Sequence, residues 1–181
     1  YKADYILWTG IKKSSPEYQA WIDVLEKQKR MGAKIIIAES KQKITTGQVI
    51  IYTIHPFENL EEREPKDAND TSVVSYLIFG KNSFLFTGDI SMARERELTD
   101  FYKLKSDVLK VAHHGSKYST SDVLLENVKP KIAVISVGKN SYGHPTSEVL
   151  EKLDKFGVMV LRTDQKGDII ILSDGNKIQV Q

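Results

Sequence analysis

The sequence contains no cysteine. A disulfide framework and a thiolate metal site are both excluded, because each needs cysteine sulfur. Any metal bound by this chain must be held by histidine, aspartate or glutamate, with help from amide or backbone oxygen. Since a lack of cysteine suits either side of a membrane, it leaves the cellular compartment open.

Long apolar runs and a strong excess of one charge are also missing. No apolar run approaches the roughly 20 residues that cross a bilayer, and no stretch of the given sequence has the pattern expected of a signal peptide. The 26 basic and 24 acidic residues leave a net charge of +2. This balance neither requires nor excludes nucleic acid, because such binding needs only a local basic patch. Glycine-rich phosphate loops, HExxH and GxSxG are absent as well.

The chain has 181 residues, enough for one domain with a hydrophobic core. It shows no internal repeat, linker or low-complexity tract, so we predict one domain over residues 1–181. It opens on Tyr1 rather than methionine and soon enters a strand-like run. We therefore expect a piece of a longer protein, with a processed or tag-cleaved chain as the alternative.

Apolar patterns predict paired strands early in the chain and strand–helix alternation later. The predicted strands are 5–8, 34–38, 48–54, 72–79, 83–86, 107–112, 132–137, 158–162, 168–172 and 177–180. Helices are predicted between Ser15 and Gly32, and at 91–102, 119–127 and 147–156. This order of elements predicts an α/β layered sandwich.

Metal-capable side chains collect where successive predicted strands end. Asp89 follows the apolar run 84–86, and Gly88 before it allows a sharp turn, so the carboxylate would project from the sheet edge. Carboxylates in such positions bind metals. The alternative is that Asp89 caps the helix that starts near Ser91.

A pair of histidines, His113 and His114, follows the next predicted strand. Adjacent side chains point in opposite directions along an extended chain, so one ring could bind metal while the other faces the substrate. Ser116 adds a hydroxyl near a predicted helix start, a place that suits phosphate. Paired histidines at a strand end followed by Gly-Ser favour a functional role over a structural one.

His144 follows the third of these strands, within Tyr-Gly-His-Pro at 142–145. Three strand ends in register would build one site at one sheet edge. An ordinary loop histidine is the alternative for His144. His55 is flanked by apolar residues and is predicted to be structural. Asn69 and Asp70 form either a polar turn or a part of the site.

These motifs, in this order, resemble the C-terminal metallo-β-lactamase-like domain of ComEC-type competence proteins. The resemblance covers nearly the whole chain. It is carried by NDTSVV (69–74), FLFTGD (84–89), DVLKVAHHGS (107–116), ISVG (135–138), YGHP (142–145) and LRTDQKGD (161–168). It implies an α/β fold of the αββα sandwich type, incomplete at its N-terminal side. It also implies one or two divalent metals, zinc or manganese, that activate water for hydrolysis.

The resemblance implies a role for each motif residue. Asp89 and His114 correspond to metal ligands, and Asp89 often bridges two ions in this family. His113 and His144 correspond to groups that orient the phosphate or protonate the leaving group. Asn69, Asp70 and Ser72 stand where other branches of the superfamily carry a ligand histidine, so the resemblance implies that this ligand is substituted. We predict a contact with substrate or phosphate for Ser116, Asn69 and Asp70.

One motif of the family is missing. The signature HxDxDH should precede the first segment of this chain, yet its four histidines stand at 55, 113, 114 and 144. The family's order places the signature just before Tyr1. Two predicted ligands then remain, fewer than the three or four protein ligands typical of zinc. We expect this chain alone to bind metal weakly and to be inactive.

The function implied for the intact parent is a metal-dependent phosphodiesterase, a nuclease that acts on single-stranded DNA during uptake. The parent would be a channel protein of the cytoplasmic membrane, with this domain on its outer face or, alternatively, in the cytoplasm. Two other functions stay open. The domain could be a non-catalytic module that binds DNA or packs against the channel, or a freestanding metallo-hydrolase of a small phosphoester.

Overall fold

Eleven strands and five α-helices follow one another along residues 1–181, all of which the computed structural model describes. The strands are β1 (Tyr5–Trp8), β2 (Lys34–Ile37), β3 (Lys43–Thr46), β4 (Val49–His55), β5 (Val74–Phe79), β6 (Asn82–Phe86), β7 (Val108–Lys110), β8 (Ile132–Ile135), β9 (Met159–Arg162), β10 (Ile171–Ser173) and β11 (Ile178–Val180). The helices are α1 (Pro16–Arg30), α2 (Met92–Phe101), α3 (Asp122–Val128), α4 (Ser147–Lys155) and α5 (Thr163–Lys166). Two short 3₁₀ turns lie at Asn69–Thr71 and Ala112–Gly115.

A seven-stranded sheet in the order β3-β4-β5-β6-β7-β8-β9 forms the frame of the fold. Its pairs are antiparallel from β3 to β6 and parallel from β6 to β9. Short turns join β3 to β4 and β5 to β6, and the longer segment 56–73 joins β4 to β5. Each parallel pair needs a helical crossover, supplied by α2, α3 and α4. The predicted mixed α/β architecture is confirmed.

The hydrophobic core lies between one face of this sheet and helices α2, α3 and α4. On the sheet, Leu85, Leu109 and Ala133 are register neighbours and are all fully buried. Leu124 and Leu153 are among the helix residues that pack into the same cluster. Alternate strand residues point to opposite faces, so this packing fixes which residues face away from the helices.

The opposite face of the sheet is apolar and partly open. Phe84, Phe86 and Val108 line a cavity of about 580 Å³ there, which is bordered by Ile171 of β10 and by Ile169 just before that strand. β1 and β2 pair with each other in a small parallel sheet of their own. The helix layer of a sandwich is thus present on one side of the large sheet only.

Sequence signals place α1 as predicted. Ser15 caps the helix, because its hydroxyl accepts a hydrogen bond from the Tyr18 amide at 3.2 Å, and Pro16 occupies the first turn. Trp21 on the helix packs edge-on against Trp8 of β1, with ring centroids 6.2 Å apart. None of the helices combines the length and apolar character needed to cross a membrane.

Two elements were not predicted. β3 has four exposed residues and no apolar alternation, so its sequence gives no strand signal. The single-turn helix α5 is too short to show a helical period. Several predicted boundaries were wrong by two or three residues. The strands expected over 107–112 and 132–137 end at Lys110 and Ile135, the strand expected from 168 begins at Ile171, and the helix expected from 119 begins at Asp122.

Candidate functional site

Three strand ends meet at one edge of the large sheet. β6, β7 and β8 run parallel, so the segments that follow them emerge on the same side. Asp89 follows β6, the histidine pair follows β7, and the loop that holds His144 follows β8. The predicted gathering of these residues at one sheet edge is confirmed.

Asp89 and His114 form the centre of this cluster. The Nε2 atom of His114 lies 3.9 Å from Oδ1 of Asp89, and both side chains are partly exposed to solvent. On its other side, His114 Nδ1 lies 2.6 Å from the Ser136 carbonyl oxygen. A carbonyl can only accept, so Nδ1 carries a hydrogen, and in the neutral form of the ring Nε2 is the nitrogen left to bind a metal. This is the arrangement of a histidine that binds metal through Nε2.

The two adjacent histidines do not alternate as an extended chain would, and that expectation was wrong. His113 and His114 both adopt left-handed backbone angles, with φ of 47° and 55°, inside the 3₁₀ turn after β7. Non-glycine residues adopt such angles rarely, and strained residues cluster at functional sites. The rings are 6.5 Å apart and nearly perpendicular, so they flank one space.

Backbone contacts join this turn to the segments on both sides. The His113 amide donates to the Gly88 carbonyl oxygen at 3.1 Å, which couples the turn to the Asp89 loop. The Thr146 amide donates to the Gly115 carbonyl oxygen at 3.0 Å. A Cβ added to Gly115 would lie only 2.6 Å from Cβ of Pro145, so glycine is required for this close approach.

His144 completes a group of three histidines. Its ring lies 5.7 Å from that of His113 and 5.9 Å from that of Tyr142. Burial lowers the pKa of His144 below the usual 6.5, and His113 and His114 lower it further. His144 is therefore mainly neutral at pH 7 and can bind or orient a ligand without carrying charge.

Asn140 holds the loop that carries His144. Its amide nitrogen donates to the carbonyl oxygens of Gly138, at 2.9 Å, and His144, at 2.8 Å. Its amide oxygen accepts from the Tyr142 and His144 amides, both at 3.0 Å. Four hydrogen bonds from one side chain fix the path of the backbone, and with it the position of the His144 ring.

The 3₁₀ turn at Asn69–Thr71 and the residue after it form hydrogen bonds with the loop that carries Asp89. Asp70 Oδ1 accepts from the Ser91 amide at 3.2 Å, and its other oxygen lies 3.7 Å from Nε of Arg94. The Ser72 hydroxyl accepts from the Asp89 amide at 3.0 Å. These contacts give Asp70 and Ser72 a positioning role, and a substrate contact by Asn69 or Asp70 stays a prediction.

Two other residues singled out in the sequence lie within the protein. Ser116 is buried, and its hydroxyl accepts from the Tyr118 amide at 3.3 Å, so a contact with phosphate stays a prediction. His55 is also buried, with Nδ1 2.9 Å from the Ser72 carbonyl oxygen. Burial lowers the pKa of His55, in keeping with the predicted structural role.

The side chains of this chain do not by themselves complete a metal site. No group of three or more histidine, cysteine, aspartate or glutamate side chains has the spacing to hold a metal ion. Asp89 and His114 supply two donors, whereas structural and catalytic zinc sites use three or four protein ligands. Asp89 and His114 can therefore form only part of a metal site.

The motif order and the site geometry agree with a comparison to known protein families. Residues 14–139 match the metallo-beta-lactamase superfamily. The chain belongs to this superfamily. The metallo-β-lactamase assignment agrees with the mixed α/β sheet and with the position of Asp89 and the histidines at its edge.

Curated relatives of this metallo-β-lactamase-family chain are competence proteins of the ComEC type. It is 43% identical over 111 residues to ComE operon protein 3 of Bacillus subtilis, and 40% identical over 109 residues to competence protein ComA of Neisseria gonorrhoeae. It is 37% identical over 114 residues to recombination protein 2 of Haemophilus influenzae. These matches cover 60%, 59% and 62% of this chain, but only 14%, 16% and 14% of the respective relatives.

Among solved structures, the chain is similar to the CmlA beta-hydroxylase E377D mutant. The TM-score is 0.48 and the sequence identity 12%, with 74% of this chain and 33% of the hydroxylase covered.

Two charged residues that the sequence analysis did not single out are buried or half-buried in this metallo-β-lactamase-family chain. Lys110 is half-buried beside the site; burial lowers its pKa, and the Asp89 carboxylate opposes that shift. Glu95 is fully buried and accepts from the Thr120 and Ser121 amides at 2.5 and 2.7 Å. A charged residue in a helix or strand reads as surface, so only the three-dimensional packing identifies these two.

Proposed function

We propose that this domain is the part of a metal-dependent phosphodiesterase that carries Asp89 and the histidine cluster, and that the parent protein is a nuclease that cuts DNA during uptake. The observation that carries the proposal is the Asp89–His114 pair, in which the Ser136 carbonyl fixes the histidine tautomer. The kinship with competence proteins supports the DNA-uptake setting.

A metal ion bound by Asp89 and His114 would need further ligands from another part of the parent protein. Asp89 and His114 leave a metal ion short of ligands, and the HxDxDH signature of the family would supply the others in a longer form of the protein. The chemistry that a divalent metal would supply is activation of water and neutralisation of phosphate charge. The membrane channel of the parent, and a location on the outer face, belong to the same proposal.

His113 and His144 supply imidazole groups next to the ligand pair. Their ring centroids are 5.7 Å apart, so both can face one bound phosphate. Mainly neutral His144 can donate one N–H to a phosphate oxygen, and His113 can do the same from the opposite side. We assign them the orientation of the scissile phosphate and proton transfer to the leaving oxygen.

The test compares two lengths of the protein and two substrates. A longer form that includes the HxDxDH signature and the 181-residue chain are each given manganese or zinc, with single-stranded DNA or a small phosphodiester. In the longer form, Asp89→Ala and His114→Ala should each lower kcat/KM by roughly a hundredfold or more. Asp100→Ala, which removes an exposed carboxylate on α2, is the matched control and should leave the activity unchanged.

The cleavage results distinguish a nuclease, a small-molecule hydrolase and a non-catalytic module. Cleavage of DNA by the longer form, lost in both variants, supports the nuclease. Cleavage of the small phosphodiester but not DNA favours a small-molecule hydrolase. If the metal-loaded longer form cuts neither substrate, the catalytic proposal is wrong and the domain is a binding or packing module.

A further inference from the structure

A groove runs alongside the Asp89–His114 pair and shares His114 and His144 with the site described above, while Lys139 and Tyr142 in its lining have no role in the function proposed so far. It has a volume of about 370 Å³, within the range of small-molecule sites. Its wall begins at His114, continues along the segment 136–140 and ends at Tyr142 and His144. A ligand that occupies the groove would therefore extend directly from the candidate reaction centre.

Tyr142 gives this groove an exposed aromatic surface. The residue is 80% exposed, and its ring packs nearly parallel to that of His144, at a 28° angle with centroids 5.9 Å apart. An apolar ring that solvent reaches on its outer side is available for stacking. Lys139 is exposed and lines the same groove, so it contributes a positive charge there.

The ring stands on a loop whose backbone is held by hydrogen bonds within the protein. The four hydrogen bonds of Asn140 hold the backbone of Tyr142 and His144. A backbone held in advance loses little conformational entropy when the loop binds a ligand, which strengthens binding. A solvated surface tyrosine would need no such support, whereas a stacking platform benefits from it.

We propose that this groove binds one nucleotide unit of a single-stranded nucleic acid, with the base stacked on Tyr142 and its phosphate near Lys139. An aromatic platform next to a cation is the usual means of holding single strands without reading their sequence. A paired base in a duplex is already stacked and cannot reach the ring. This inference rests on the proposed function only in its choice of a phosphodiester ligand.

The test measures binding without metal, so that catalysis plays no part. A short fluorescent single-stranded DNA is titrated with the 181-residue chain in EDTA at fixed low salt, and anisotropy gives Kd. Tyr142→Ala should raise Kd about tenfold, and Tyr142→Phe should stay close to wild type because the ring is kept. Tyr118→Ala is the matched control: Tyr118 is 67% exposed beside Lys117 but lies outside the groove, so Kd should not change.

An oligonucleotide with abasic sites closes the test. For the wild type, Kd should be about tenfold higher for the abasic strand than for the intact strand. For Tyr142→Ala, Kd should be the same for both strands, because the stacking partner of the base is already gone. The variants should have the wild-type thermal midpoint, because Tyr142 is exposed. No measurable binding by the wild type, or equal losses in Tyr142→Ala and Tyr118→Ala, would overturn the inference.

This outcome is separable from that of the cleavage test. Binding that depends on Tyr142 in a protein that cuts nothing leaves the groove in place and removes the catalytic proposal. Cleavage of DNA with no effect of Tyr142→Ala on Kd does the reverse.

Discussion

His114 meets a backbone carbonyl at one nitrogen and a carboxylate near the other. The 2.6 Å contact with the Ser136 carbonyl oxygen places a ring hydrogen on Nδ1, so in the neutral ring the Nε2 lone pair is left for an ion shared with Asp89. The side chain alone does not determine this state, because either nitrogen of a neutral histidine can carry the hydrogen. The end of β8 thus determines which atom of His114 can bind metal.

His55 is buried in the protein, whereas His114 is partly exposed in the candidate site. Its burial lowers its pKa below 6.5, so the unfolded chain binds this proton more readily than the folded protein. The resulting stability is fully present above about pH 6.5 and is lost as the pH falls toward the folded-state pKa, by at most about 1.4 kcal/mol per pH unit.

We expect His55→Asn to remove this acid sensitivity. Asparagine can still donate a hydrogen bond to the Ser72 carbonyl oxygen, and it does not titrate. The measurement is the free energy of unfolding in urea at about pH 7.5 and pH 5.5. The difference between the two pH values should be smaller in the variant than in the wild type, and an unchanged difference would rule out His55 as its source.

At the scale of single residues, the sequence predicted which side chains belong to the site better than it predicted their local backbone geometry. Asp89, His113, His114 and His144 were identified from motif and resemblance, and the structure brings them together. The left-handed turn at the two adjacent histidines was not predicted, because its angles depend on contacts with Gly88 and Pro145 that are distant in sequence.

Among the elements, the turn after β7 and the loop after β8 are tied at a single point. Gly115 lies against Pro145, and the Gly115 carbonyl accepts from the Thr146 amide. Any side chain at position 115 would separate the segments that carry His113 and His144. The spacing of these two histidines thus depends on the absence of one methyl group.

Gly115→Ala should destabilise the protein more than Gly157→Ala. Both glycines have positive φ, +82° and +67°, so both variants carry the strain of an L residue there, about 1 kcal/mol. Only the alanine at 115 also clashes, with Pro145 at 2.6 Å, whereas that at 157 meets nothing within 4 Å. Urea unfolding should show a difference of at least about 1 kcal/mol, and equal losses would show that the contact is soft.

Element boundaries followed from the sequence where apolar periodicity was strong. α1 and α4 lie within a residue or two of their predictions, because their caps and apolar spacing are local signals. β3 was missed because it is an exposed edge strand defined by its pairing with β4. Local sequence does not predict a strand that forms because of its pairing with a neighbouring strand.

In the whole molecule, one face of the large sheet carries the helices and the core, and one edge carries the polar site. The sequence predicted the mixed α/β class and the convergence of three strand ends, since parallel strands share a direction. It did not predict the partly open apolar face lined by Phe84 and Phe86. Which face a strand residue occupies depends on the register of the assembled sheet.

The central claim is that Asp89 and His114 together form part of a metal site. Its most direct test is a manganese titration of the ¹⁵N-labelled 181-residue chain, because a bound paramagnetic ion broadens the NMR signals of the nearest residues. We expect broadening centred on Asp89 and His114, at manganese concentrations well above those that saturate a complete site, and its loss in Asp89→Ala. Broadening centred elsewhere, or unchanged in Asp89→Ala, would contradict the account.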